Sequence, residues 1–127
     1  MSDALSLAER IELVERGYEY LLAYAAQGRQ DDAGTEARLM LTGMHDALES
    51  LGPVARAALP QLAAGPVVAP WIDALERDAQ VARGALALVL GCPRIGSLLV
   101  DNLNASVHLR ALLTDLFLLD QALKSRS

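Results

Sequence analysis

The chain holds one cysteine, one phenylalanine, one tryptophan and two histidines in 127 residues, and each scarcity excludes something. A single cysteine rules out an intrachain disulfide framework and fits a reducing compartment. Two histidines are thin material for a metal cluster, and no E-x-x-H occurs, so the ligand pattern of carboxylate-bridged iron bundles is missing. Neither a metal nor another cofactor is expected. The net charge is −5 and no basic run stands out, which argues against a nucleic-acid partner held through phosphates. The longest uncharged stretch, 57–72, is broken by three prolines. It also falls short of the ~20 residues of a membrane span, so no membrane partner is expected. Asp3 and Glu9 stand where a signal peptide needs a basic region and then an apolar run. The expected location is cytoplasmic.

What is present is aliphatic. Hydrophobic residues make up 53% of the chain against 4% aromatics, so the core must be leucine, valine, isoleucine and alanine, an alphabet that favours helices. Ser6 and Glu9 form a capping-box pattern, and Leu7, Ile11, Val14, Tyr18, Leu21 and Ala25 follow it in steps of four and three. Gly28 then marks an end. After the polar "GRQDDAG", with Asp31 or Asp32 suited to cap the next helix, Ala37, Leu41, Met44, Leu48 and Leu51 repeat the spacing until "LGP" at 51–53 stops it. Four prolines in 53–70 forbid a long helix and predict a short one near 54–63, then an extended crossing. Pro70 opens a third long helix with Ile72, Leu75, Ala79, Ala82, Leu86 and Val89 on one face, closed by Gly91.

The last helix carries Leu98, Asn102, Ala105, Leu109, Leu112, Leu116, Leu119 and Leu123 in one four-three rhythm. Such a seam predicts either a core face or a subunit interface, with Asn102 either a register-setting polar residue or a residue near the helix start outside the packed region. Leu99, Val100, Leu103, Val107, Phe117 and Leu118 add apolar surface on other sides. The whole reads as one domain over 1–127, an all-α antiparallel bundle of four long heptad-spaced helices plus one short proline-bounded helix.

Candidate chemistry is sparse. The stretch "GCPRIGS" at 91–97 has the outline of a phosphate loop, but Ser97 occupies the place of the lysine and Pro93 removes an N–H, so a turn is expected. Should Pro93 begin the last helix, Cys92 would be its N-cap and a candidate reactive thiol. His108 shares a stripe with Asp101, Asn104 and Asp115, which reads as the wet side of the helix. Arg38 and His45 form R-x6-H, which resembles the R-x4–6-H spacing of HEPN-type ribonucleases, with Leu39 departing from the polar residue that often follows the arginine. That resemblance implies RNA cleavage in a helical bundle dimer, against which the acidic charge counts.

With no nucleophile, base and orienting group in sight, no catalytic residue is assigned. The expected function is a non-enzymatic, homodimeric protein–protein interaction module in a regulatory or adaptor role, with Leu98, Asn102, Leu109, Leu112, Leu116, Leu119 and Leu123 as the interface. A bundle enclosing a small apolar ligand beside Ala74, Ala79, Ala82 and Ala85 is the alternative, and a HEPN-like ribonuclease the third.

Overall fold

The computed structural model describes residues 5–58 and 65–125. Among these the protein is all-helical: α1 (Leu7–Ala25), α2 (Ala37–Ala47), α3 (Leu51–Ala57), a 3-10 turn (Gly65–Val68), α4 (Ala69–Leu90), α5 (Ser97–Asn104) and α6 (Val107–Ser125). Buried residues from all six helices form one apolar cluster. No described helix is long and apolar enough to cross a membrane.

α1 starts as its sequence dictates. The Ser6 hydroxyl accepts from the Glu9 N–H at 3.1 Å, and the Glu9 carboxylate accepts from the Ser6 N–H at 2.8 Å. It buries Leu7, Ile11, Val14 and Leu21 and ends at Ala25, with Gly28 beyond the cap at φ +66. Gly17 lets α2 come close, since a Cβ there would overlap the Met44 side chain.

α2 has no side-chain N-cap; Asp31 and Asp32 hold other groups, described below. The "LGP" stretch does not stop α2 but opens α3. Ser50 takes the left-handed conformation at φ 57, and Pro53 falls in the first turn of α3, where its missing N–H has no helical partner to lose. The short helix therefore sits at Leu51–Ala57 rather than 54–63, and residues 59–64 of the expected span lie outside the described residues. The 3-10 turn leads straight into α4, whose first turn contains Pro70. All six residues expected on the α4 face are buried.

The long last helix is two helices. α5 buries Ser97, Val100, Leu103 and Asn104, whereas α6 buries Leu109, Leu112, Leu113, Leu116 and Leu119. From Asn104 to Leu109 the buried positions step by five residues. In an unbroken helix that step rotates the face by about 140° away from the core. The interruption at Ala105 and Ser106 resets the phase. Asn104 anchors it by donating through Nδ2 to the Leu21 carbonyl of α1 at 3.1 Å.

Candidate interaction surface

The residues expected to form an interface divide at that break. Leu109, Leu112, Leu116 and Leu119 are buried inside the chain's own core, and Leu123 packs half-buried against it. Leu98 is 75% exposed, and Asn102 is exposed with its Nδ2 donating to the Leu98 carbonyl one turn back in its own helix. Asn102 therefore sets no register in a leucine seam. The phase of α5 turns Leu98, Asn102 and Ala105 outward.

Cys92 does not cap a helix. α5 begins at Ser97 with Gly96 as its N-cap, so Cys92 sits in the turn after α4, its Sγ 3.5 Å from the Leu88 carbonyl. The helix-dipole reason for a reactive thiol is thereby removed. The loop's backbone is committed elsewhere too. The Ile95 N–H donates to Asp32 at 2.9 Å, the Ser97 N–H to the Arg29 carbonyl at 2.9 Å, and the buried Tyr24 hydroxyl donates to the Ile95 carbonyl. A Cβ at Gly96 would press within 3.0–3.1 Å of the Arg29 and Gln30 carbonyls, a tight fit that glycine relieves. The loop is a clasp between the α1–α2 and α4–α5 connections.

Arg38 is the rivet of that clasp. Its Nε donates to Asp32 at 2.8 Å, Nη1 to the Leu90 carbonyl at 2.9 Å, and Nη2 to the Cys92 and Pro93 carbonyls at 2.7 and 3.1 Å. The end of α4 and the residues just after it carry the negative end of the helix dipole and carbonyls without a helical partner. Other arginines do the same work. Arg10 reaches the Ala47 and Glu49 carbonyls at and after the end of α2, and Arg83 reaches the His45 carbonyl at 3.2 Å. A planar fork with five donors can serve several carbonyls at once, which an ammonium cannot.

His45 lies seven residues along α2 from Arg38, about 10 Å in helical rise, with its Nδ1 3.1 Å from Asp46. The pair resembling a ribonuclease motif is thus split between a loop clasp and a neighbouring carboxylate. The expected His108 stripe also breaks up: Asp101 and His108 are exposed, Asn104 is buried, and Asp115 is half-buried. Burial, then repulsion from Asp78, pushes the Asp115 carboxyl above its ordinary value, against the opposing effect of the Trp71 indole N–H. Among the described residues no three histidine, cysteine or acidic side chains are placed to hold a metal ion.

The clasp also has a pH signature. The Ile95 N–H, with Arg38 reinforcing it, holds the Asp32 carboxyl below its ordinary 3.8. Asp32 therefore contributes stability in full above the unfolded value, and the contribution is lost as pH falls from about 3.8 through the lower folded value. Chemical denaturation across pH 2–6 should show an acid limb that Asp32→Asn flattens. An unchanged limb in the variant would exclude Asp32 as a contributor.

Exposed large apolar side chains are scattered over several helices, Leu39, Leu88 and Leu98 among them, and α6 gathers three, Val107, Phe117 and Leu118. Val107, Ala111, Thr114, Leu118 and Ala122 recur in steps of four and three on the side opposite the buried leucines, and none is charged. Val107 is 75% exposed and Leu118 59%. The Thr114 hydroxyl donates to the Arg110 carbonyl at 2.8 Å, which removes a polar donor from this face. Beside it, Phe117 is 37% exposed at the edge of a groove of about 440 Å³ between α6 and α1. That groove went unforeseen because it forms between the flanks of two helices, and no local pattern marks it. Comparison with known proteins returned no matching family model, curated protein or solved structure.

Proposed function

We propose that the chain is a non-enzymatic helical interaction module, cytoplasmic and homodimeric, acting in a regulatory or adaptor role. In this reading the four long helical segments form an antiparallel bundle, with α5 and α6 together as the fourth. The dimer contact is the outer face of α6 rather than the leucine seam. One observation carries the proposal: α6 has two apolar faces, and the chain's own core occupies only the one bearing Leu109, Leu112 and Leu116. The other face, with Val107 and Leu118 exposed and no charge in its central stripe, is the kind of surface that a partner covers. A second copy is the simplest partner, because an uncharged face meets its own image without like-charge repulsion.

Sedimentation of the wild-type chain through a dilution series tests this. The expected result is a dimer at high concentration that gives way to monomer on dilution. A monomer at every concentration, with a small apolar molecule retained in native mass spectrometry, would replace this reading with that of a ligand carrier.

A further inference from the structure

The groove between α1 and α6 is chemically unlike the outer face of α6. Tyr18 and Phe117 give it an aromatic lining, shared with Glu15, Glu19 and Asp120. It runs on past Ile11 and Glu12 toward the start of α1, where a further 220 Å³ is open. From Ala8 to Glu19 the groove follows α1 for about 16 Å, or three helical turns. Leu22, one turn beyond Tyr18 on the same side of α1, is exposed and extends the apolar strip. Among the described residues Lys124 is the one cation lining either part; it is held by Asp120 at 2.9 Å and also feels the charge of Glu15. Glu12 is paired with Arg16 at 2.9 Å, whereas Glu15 and Glu19 have no ion-pair partner within 4.0 Å among the described residues.

We propose that this groove docks a basic amphipathic helix of a partner protein. Its apolar side chains rest on Tyr18, Leu22 and Phe117, and its lysine or arginine side chains meet Glu15 and Glu19. Charge complementarity selects this occupant. A second copy of this chain carries a net −5 and would bring like charge to an acidic rim, and a nucleic acid would be repelled for the same reason. The groove's length and its setting between two helices suit a helix laid in with anchors every three or four residues. A cationic side chain crossing Phe117 or Tyr18 also gains from the ring face. The proposal rests on the reading of the chain as an interaction module and supplies the chemistry of its partner.

The test uses the full chain and three labelled synthetic peptides read by fluorescence anisotropy. One is a lysine–leucine amphipathic helix, the second has the same composition scrambled to destroy amphipathicity, and the third has every lysine replaced by glutamate. The amphipathic basic peptide should bind, more weakly as salt is added, and the other two should bind at least about tenfold less tightly. Glu15→Lys with Glu19→Lys should weaken binding by about tenfold or more, and Phe117→Ser should do the same at unchanged charge. Circular dichroism should show both variants folded as the wild type is. Equal binding of the scrambled peptide, competition by spermine as effective as by peptide, or full binding in the folded charge-reversed variant would each overturn the proposal. Sedimentation of the same samples separates the two ideas: a dimer that binds no peptide removes the groove proposal alone, and a monomer that binds peptide removes the homodimer alone.

Discussion

Leu112→Asp should leave no folded protein. Leu112 is fully buried in the leucine face of α6, within the apolar core cluster. An unpaired carboxylate there must either be desolvated or protonated, and both outcomes cost more than a domain of this size has to spare. Circular dichroism should show the helical signal lost. The milder Leu112→Ala should fold and lose about 2–5 kcal/mol in chemical denaturation, from lost transfer energy and the remaining cavity. Had the seam been a subunit interface, the aspartate would give a helical monomer instead.

Arg38→Met should cost about 2 kcal/mol. The guanidinium makes four hydrogen bonds, three of them to the carbonyls at and after the end of α4, and its loss leaves those acceptors without it and Asp32 with the Ile95 N–H alone. About two-fifths of the side chain is exposed, so water recovers part of what is lost and keeps the effect below the sum of four charged bonds. Arg38→Lys should recover little, because one ammonium cannot span Asp32, Leu90 and Cys92 together. Hydrogen exchange adds a local readout: in Arg38→Met the Ile95 and Ser97 amides should exchange faster, while amides in the middle of α1 keep most of their protection. An Arg38→Met variant as stable as wild type would contradict the clasp and return Arg38 to the list of residues free for chemistry.

How much of this was legible beforehand depended on whether the cause was local. The start of α1 could be read because Ser6 and Glu9 cap each other within one turn. The face of α4 could be read because Ile72, Leu75, Ala79, Ala82, Leu86 and Val89 keep one helical phase from end to end. The last helix misled because its leucines sustain a four-three rhythm across Ala105 and Ser106, although Val100 and Leu103 carry the buried phase of α5. Two rhythms coexisted there, and only the packing of α5 on α1, with Asn104 reaching the Leu21 carbonyl, chooses between them. The clasp was hidden for another reason. Asp32 and Arg38 are near neighbours, but Ile95 lies far along the chain, and nothing near Arg38 announces that its carbonyl partners are more than fifty residues away.

The reading of α6 as a helix with one structural side and one docking side can be tested in a single comparison. Leu118→Lys places a charge on the outer stripe, where the side chain is 59% exposed and has room to enter solvent. Sedimentation velocity should find this variant monomeric at a concentration where the wild type is dimeric, with the helical circular dichroism signal unchanged. A Leu118→Lys protein that still sediments as a dimer would contradict the account, because the second apolar face of α6 would then have no part in holding two chains together.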